Sequence, residues 1–195
     1  MTLLPETIIH VTENEIIAGC LKKSAMCQHL LFAQYSRKLM TVCSRYAGTS
    51  SDAEDMLQES FIKIFSSIHQ YRSEGSLEGW LRKITVNTCL RKLRKTKIRY
   101  DDLATVEALN DDVQPDVISI LTEKELIGLI SSLPDGYRIV FNLNVVEGYS
   151  HDEIAAILGI EPATSRSQLI KARRQLQKQL LDHQKTILRH ERKRI

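Results

Sequence analysis

The sequence has few of the features that mark secreted, membrane-bound or metal-binding proteins. Its 195 residues include 4 cysteines, 4 prolines and 1 tryptophan, and no apolar run approaches the roughly 20 residues needed to cross a bilayer. The cysteines form no C-x-x-C pair and each falls in a helical pattern, so we expect reduced, buried thiols rather than disulfides or a zinc site. The N-terminus lacks a basic start and a small-residue cleavage site, which indicates a cytoplasmic protein without membrane insertion.

Catalytic motifs are also missing. The sequence contains no glycine-rich phosphate loop, nucleophile elbow or paired buried carboxylates. His151, Asp152 and Glu153 are adjacent rather than at the helical spacing of a metal site, and a helix capping box accounts for the two acids. We therefore predict no catalytic residue, no metal and no cofactor, and an enzyme is the least favoured class.

Charge is abundant, and its two signs are separated along the chain. Residues 81–100 carry eight Lys or Arg and no acid, while residues 166–195 carry ten Lys or Arg against two acids. Residues 101–125 carry eight acids and one lysine, a net charge of −7. The overall net charge of +3 is therefore a near-cancellation. Two separate basic segments are typical of a protein that contacts nucleic acid in two places.

Helical spacing of apolar residues dominates on both sides of the acidic segment, and no strand pattern of comparable strength appears. The predicted fold class is therefore all-α, with two helical domains joined by an acidic linker. We place the domains at residues 14–97 and 121–182, the flexible linker at 98–120 and a basic tail at 183–195. The linker has too few apolar residues to offset the entropy of ordering.

The first domain is predicted to contain four helices. Two occupy residues 14–47, a third begins at a capping box at 51–54, and a fourth spans about 76–95. The apolar stripe of the fourth helix predicts that Trp80 and Ile84 are buried against the others.

The second domain contains a predicted helix-turn-helix. A capping box at 150–153 begins a short helix, a glycine turn follows, and Pro162 begins a longer basic helix. In such motifs the second helix enters the DNA major groove. With Leu169, Ala172 and Leu176 turned inward, its outward face offers groups suited to base edges and phosphates. This face carries Arg166, Ser167, Ile170, Lys171, Arg173 and Arg174. The alternative is an ordinary solvated face, which an exposed isoleucine disfavours.

Five motifs then occur in one order along the chain. They are DAEDMLQESFIKIF at 52–65, GSLEGWLRKITVNT at 75–88, LPDGYRIVF at 133–141, EGYSHDEIA at 147–155 and TSRSQL at 164–169. In this order and spacing the sequence resembles an extracytoplasmic-function (ECF) sigma factor of bacterial RNA polymerase. The resemblance spans roughly residues 16–181 and implies that the protein directs core polymerase to promoters and opens the DNA.

The resemblance implies a surface for core polymerase. The acidic face of the third helix matches the family's docking surface for the clamp helices of the largest subunit, and carboxylates suit a basic partner. The matching residues are Asp52, Asp55, Gln58, Glu59, Phe61 and Ile62. Without the family, a solvated helix face would be the default interpretation. The second domain, by the same resemblance, contacts the polymerase flap.

The resemblance also implies two promoter-binding sites. The basic fourth helix matches the region that opens and recognises the minus-ten element, and residues 71–76 match the loop that captures a flipped base. The matching residues are Arg72, Ser73, Trp80, Asn87, Arg91, Lys92, Arg94 and Lys95. A tryptophan that only fills the core is the alternative for Trp80. The helix-turn-helix matches the reader of the duplex minus-thirty-five element, through Thr164, Arg166, Ser167, Ile170, Lys171, Arg173 and Arg174.

The acidic linker resembles the connector that the family threads near the active-site cleft and RNA exit channel, with a merely solvated linker as the alternative. An anti-sigma factor is a further candidate partner by resemblance, although no residue specifies one. Arg91 and Gln168 depart from residues frequent in the family at positions expected on or near DNA. The competing function is a LuxR-like helix-turn-helix regulator that is no polymerase subunit, which leaves Trp80 and its basic run unexplained.

Overall fold

The computed structural model describes residues 11–95 and 122–192. Within these two ranges all regular structure is helical, which confirms the predicted all-α class. The predicted linker at 98–120 and the last residues of the tail, 193–195, lie outside the described residues.

The first domain consists of four α-helices in the described range. They are α1 (Glu13–Leu21), α2 (Ala25–Tyr46), α3 (Ser50–Ser67) and α4 (Leu77–Lys95), and a 3-10 turn at Ile68–Gln70 follows α3. Local hydrogen bonds fix where the first two helices begin. Thr12 and Glu15 form a capping box before α1, and the Ser24 hydroxyl caps α2. The predicted break between these two helices is confirmed.

The N-cap of α3 lies two residues before the predicted capping box at 51–54. Thr49 is the N-cap, with an extended backbone (φ −136°, ψ 161°). Its hydroxyl accepts a hydrogen bond from the Asp52 amide at 3.1 Å and donates one to the Asp52 carboxylate at 2.7 Å. Ser51 lies inside the first turn, so the prediction of a cap at Ser51 is wrong. Thr49 and Asp52 have the spacing of a capping box two residues earlier, but the acid accepts from the Thr49 hydroxyl rather than from its backbone amide.

The second domain follows the predicted punctuation. It contains α5 (Glu123–Ser131), α6 (Asp135–Phe141), a π-helical turn at Asn142–Val146, α7 (His151–Leu158) and α8 (Pro162–Arg192). The Ser150–Glu153 capping box begins α7, and Gly159 ends it with a left-handed backbone at φ +70°. Both were predicted from the sequence. Helix α8 has 31 residues, so its backbone continues through the basic tail to Arg192.

The core of the first domain lies between α2, α3 and α4, which pack against one another. Leu31, Leu39, Ile64 and Leu81 are among its fully buried side chains. All four cysteines are free thiols; three are buried as predicted, whereas Cys27 is half-buried. Trp80 and Ile84 are only half-buried. Both nevertheless pack against the core cluster, so their predicted burial is confirmed only in part.

The two domains pack directly against each other. Helix α2 of the first domain contacts α5 and α6 of the second. Buried side chains from both domains, including Leu39, Tyr46, Ile139 and Leu143, belong to one apolar cluster. The hydrophobic pattern of each helix shows which face is buried, but it does not show that the partner lies in the other domain.

Candidate nucleic-acid interface

One face of α4 carries a stripe of cationic and amide side chains. Lys83, Asn87, Arg91 and Arg94 are all exposed and recur at spacings of four, four and three, which places them on one side of a helix. Trp80 continues the stripe one turn earlier and is half-buried. Three of the predicted minus-ten residues, Asn87, Arg91 and Arg94, therefore share a face with Trp80, and Lys83 joins them although it was not predicted.

Trp80 stands between two open pockets on this face. The larger is a groove of about 420 Å³ between α3 and α4, with a partly apolar floor and cations at its rim. It is lined by Lys63, Ser67, Gln70, Trp80, Lys83, Ile84, Asn87, Thr88 and Arg91. The smaller, of about 370 Å³, lies against the loop 71–76. Pockets of this size next to an aromatic ring and positive charge suit unstacked bases and their phosphates.

The loop beside the smaller pocket has a defined shape. The Tyr71 ring packs 5.6 Å from the Trp80 ring, and the Tyr71 hydroxyl donates a hydrogen bond to the Gly75 carbonyl at 2.7 Å. Gly75 has φ +149° and Ser73 has φ +57°, conformations that favour residues without a bulky side chain. Arg72 and Ser73, both predicted here, are exposed at the pocket's loop.

Lys92 lies apart from the other predicted minus-ten residues. Its ammonium group lies 3.3 Å from the Asp55 carboxylate and 3.7 Å from that of Glu59 on α3. Arg91 lies 3.6 Å from Glu59. Lys92 and Arg91 therefore both neutralise part of the predicted polymerase-binding surface, and Lys92, about 100° of helical rotation from Arg91, lies off the exposed stripe. The side chain of Lys95, also predicted, lies outside the described part of the structure.

The predicted polymerase-binding surface on α3 is largely exposed. Asp52, Asp55 and Gln58 are exposed, Glu59 is half-buried, and the Ile62 side chain is 70% exposed. Phe61 was predicted to contribute, but it is only 4% exposed, so its placement on this surface is wrong.

The Phe61 ring is covered by other aromatic rings of the first domain. It packs against Phe32 at 4.7 Å and Phe65 at 5.8 Å. Phe32 of α2 is 42% exposed and presents the aromatic surface instead. No pattern in the sequence indicated Phe32, since it lies 29 residues from Phe61 in the chain.

The recognition helix of the helix-turn-helix is α8. Arg166 and Arg173 are exposed, whereas Leu169 and Ala172 are buried as predicted. Half-buried side chains, which retain partial access to solvent, are Thr164, Ile170, Lys171, Arg174 and Leu176. Leu176 was predicted to face fully inward and does so only in part.

Two polar residues of α8 lie deeper than predicted. Ser167 is 4% exposed, and its hydroxyl donates a hydrogen bond to the Thr164 carbonyl at 2.9 Å. Gln168 is fully buried. Their predicted positions on or near the outward face are wrong, because both lie on the side of α8 that packs against α6 and α7. The exposed base-reading candidates are therefore fewer than the helical pattern indicated.

His151 joins the two helices of the helix-turn-helix. Its Nδ1 lies 2.8 Å from the hydroxyl oxygen of Ser165, which is itself buried. Burial, followed by the positive charges of Arg166 and Arg173, lowers the pKa of His151 below its usual range. The imidazole therefore links the start of α7 to the first turn of α8.

No cluster of three or more metal-ligating side chains occurs in residues 11–95 and 122–192. No helix in the same ranges is both long and apolar enough to cross a membrane.

An all-α, two-domain fold with a cationic aromatic face in one domain and a helix-turn-helix in the other defines a class of DNA-binding transcription proteins. Comparison with known proteins narrows the class. The family model for sigma-70 region 2 matches residues 31–98, and the model for sigma-70 region 4 matches residues 123–176.

Relatives with similar sequences carry the same designation. The ECF RNA polymerase sigma-E factor of Salmonella typhimurium strain LT2 is 30% identical over 84% of this chain and 91% of its own length. The ECF RNA polymerase sigma factor SigE of Mycolicibacterium smegmatis is 34% identical over 78% of this chain, which spans 61% of that relative. A solved structure of the sigma factor RpoE with the anti-sigma factor NepR from Bartonella quintana covers 79% of this chain at 22% identity, with a TM-score of 0.47.

The chain belongs to the ECF sigma factors of the sigma-70 family, the RNA polymerase subunits that direct promoter recognition in transcription initiation. The match to both sigma regions does not favour the alternative of a LuxR-like regulator.

Proposed function

We propose that this sigma factor binds core polymerase through the exposed surface of α3, opens the minus-ten element along α4, and reads the minus-thirty-five element with the first turns of α8. One observation carries the proposal most directly. Trp80 separates two base-sized pockets on a helix face whose exposed side chains are cationic or amide.

The α4 face supports strand opening because it offers both groups that an unpaired strand needs. Lys83, Arg91 and Arg94 supply positive charge for the backbone, and the Trp80 ring supplies an aromatic surface for an unstacked base. The pocket beside loop 71–76 would receive a flipped base. Duplex DNA would gain little from these pockets, so the face favours the opened form.

The α3 surface supports polymerase binding by combining charge with an exposed apolar side chain. Asp52, Asp55 and Gln58 are exposed on the turns of α3 that precede Ile62, which is too exposed to contribute to the core. A basic partner helix would meet both charge and apolar area here. Lys92 holds Asp55 and Glu59 in place from α4, which links the polymerase surface to the DNA-opening helix.

The α8 face supports duplex reading through its exposed arginines. Arg166 and Arg173 are available for guanine edges or phosphates, and Ile170 retains partial exposure for a thymine methyl group. Lys171, Arg174 and Lys178 line a separate open groove beside Tyr137 and suit phosphates or the polymerase flap.

Further parts of the proposal follow from family membership. We infer functional domains at residues 14–97 and 121–182, a linker at 98–120 that occupies the polymerase channel, and a cytoplasmic location. An anti-sigma factor is a proposed partner. We also infer that the protein acts without catalytic, metal or cofactor chemistry of its own.

A promoter-opening assay tests whether α4 opens the minus-ten element. We expect Arg91→Ala combined with Arg94→Ala to reduce permanganate reactivity of minus-ten thymines, because the backbone of the opened strand loses two cationic contacts. The total amount of promoter complex should change less, since docking through the second domain persists. Arg37→Ala, which removes an exposed cation from α2, is the matched control. Equal thymine reactivity per complex in the double variant and the control would show that α4 does not open the promoter.

A further inference from the structure

A charged contact joins the first domain to the residue just before the helix-turn-helix. The Glu147 carboxylate accepts two hydrogen bonds from the Arg82 guanidinium, at 2.8 Å from Nε and at 3.0 Å from Nη2. Nη2 of Arg45 lies 3.6 Å from the same carboxylate. The Glu147 side chain is only 9% exposed. Paired hydrogen bonds from one guanidinium are among the stronger polar contacts in proteins, and partial burial reduces their screening by salt.

Two further side chains of the second domain bind the end of α2. Arg138 donates from Nε to the Tyr46 carbonyl at 3.1 Å, and Asn142 donates from its amide to the Arg45 carbonyl at 2.7 Å. These carbonyls lie in the last turn of α2, where the helix has no amides left to pair with them. The second domain therefore caps a helix of the first.

The same region contains buried polar atoms that make no hydrogen bond. They are Nε and Nη2 of Arg45, the Tyr46 hydroxyl and Oδ1 of Asn142. A cleft of about 410 Å³ also lies between the α2–α3 corner and α5. Buried polar atoms without hydrogen bonds carry a desolvation cost that water would relieve. Separation of the domains would therefore hydrate these polar atoms, and it would also break the ion pairs of Glu147.

Promoter geometry requires this separation if the proposed function holds. The centres of the minus-ten and minus-thirty-five elements are about 25 base pairs apart, or ~85 Å at 3.4 Å per step. A compact chain of this length has a radius of gyration of only ~16 Å. Arg82 lies on the helix of the proposed minus-ten face, and Glu147 lies directly before the minus-thirty-five reader. Their contact is incompatible with both domains bound to one promoter.

We propose that Glu147, held by Arg82 and Arg45, locks the free protein in a closed conformation that cannot engage both promoter elements. Release of this Glu147 lock then sets how much of the protein is competent for promoter binding. The lock is intramolecular. The second domain of the same chain covers the surface of α2 and α4 at this contact.

The closed state is measurable in the free, full-length protein. Dyes on unnatural residues at the exposed positions Ser66 and Glu161 would report interdomain energy transfer. We expect Glu147→Gln to raise the ratio of open to closed molecules at least about tenfold, equivalent to about 1.4 kcal/mol. Arg82→Gln should have a similar effect. The double variant should open the protein no further than the larger single effect, because both changes break one contact.

Glu78→Gln is the matched control. It removes a carboxylate from α4 one turn before Arg82, and its partner Lys38 belongs to the same domain. We expect no change in energy transfer, with circular dichroism confirming that all variants keep their helices. Low transfer in the parent protein, or transfer in Glu147→Gln equal to that in Glu78→Gln, would overturn the lock.

A second measurement tests the consequence for promoter binding. Glu147→Gln should reach half-maximal open complex with core polymerase at a lower protein concentration than the parent, by up to the factor by which the open fraction rises. If Glu147→Gln opens the protein but needs the same concentration as the parent for half-maximal open complex, the lock does not control promoter binding. The energy-transfer experiment contains neither polymerase nor DNA, so its failure concerns the lock alone. Failure of the parent to support open complexes concerns the proposed function alone.

Discussion

Phe61 and Ile62 are adjacent in the chain and face opposite environments. Phe61 is 4% exposed and packs between aromatic rings, whereas Ile62 is 70% exposed. We expect Phe61→Ala to lower the free energy of unfolding by about 3–5 kcal/mol, and Ile62→Ser to change it by no more than about 0.5 kcal/mol. Urea denaturation of both variants measures the difference. Equal losses of stability would contradict the assignment of their environments.

The same isoleucine provides a direct test of the polymerase surface. Ile62→Ser should compete less well for core polymerase while remaining folded, because it removes apolar area from the proposed interface. Met26→Ser is the control, since Met26 is 65% exposed and lies at the start of α2, outside the α3 surface. If the two variants compete equally with the parent, polymerase does not bind at Ile62.

Residues of α8 should differ in how they affect promoter preference. We expect Arg166→Ala to cost roughly 1–3 kcal/mol and to relax preference at one position of the minus-thirty-five element, because an exposed arginine at the helix start can reach a base edge. Lys178→Ala should weaken all sequences together and reduce the salt slope by about one, as loss of a phosphate contact does. Transcription across a randomised element distinguishes them. The reverse pattern would mean that the facing of α8 is wrongly assigned.

At the scale of helices, the start of α3 is fixed by one side chain. Thr49→Ala should lower the free energy of unfolding by about 1 kcal/mol, because the first-turn amide of Asp52 loses its acceptor. Ser51→Ala should be nearly neutral, since Ser51 is exposed inside the first turn. Thermal or urea unfolding of the two variants measures this. A larger effect at Ser51 would restore the capping box at 51–54.

Helix α4 shows how one helix serves several purposes through its faces. Trp80, Lys83, Asn87 and Arg91 line the open groove, while Lys92 contacts α3 and Arg82 contacts the second domain. A basic run in sequence is therefore not a single binding surface. Its cations are divided among the open groove, the α3 carboxylates and Glu147 by a rotation of about 100° per residue.

At the scale of the whole molecule, the contact between the domains contains both stabilising apolar packing and destabilising buried polar atoms. Buried side chains of both domains form one apolar cluster, yet polar atoms of Arg45, Tyr46 and Asn142 at the domain contact lack hydrogen bonds. Apolar burial favours the closed state but does not specify how the domains are oriented. The charged contact at Glu147 specifies one orientation. The balance between them determines how readily the domains separate for a promoter.

The sequence by itself determined the helical class, the ECF motifs and the helix ends around the helix-turn-helix. The Ser150 capping box, the Gly159 stop and the Pro162 start are confirmed because each depends on hydrogen bonds or backbone angles within a few residues. The burial of Leu169 and Ala172 was also predictable, since a helix with a clear apolar stripe buries that stripe.

Tertiary structure alone decided which candidate residues are accessible and what they contact. Phe61 is buried under Phe32 from another helix, and Ser167 is buried by the packing of α8. The partners of Lys92 and Glu147 lie 33 to 102 residues away, as shown by the contacts with Glu59, Asp55, Arg82 and Arg45. Helical periodicity repeats every 3.6 residues and records which side of a helix is apolar. It carries no information on which distant helix covers that side, so the α4 groove and the Glu147 lock exist only in the folded chain.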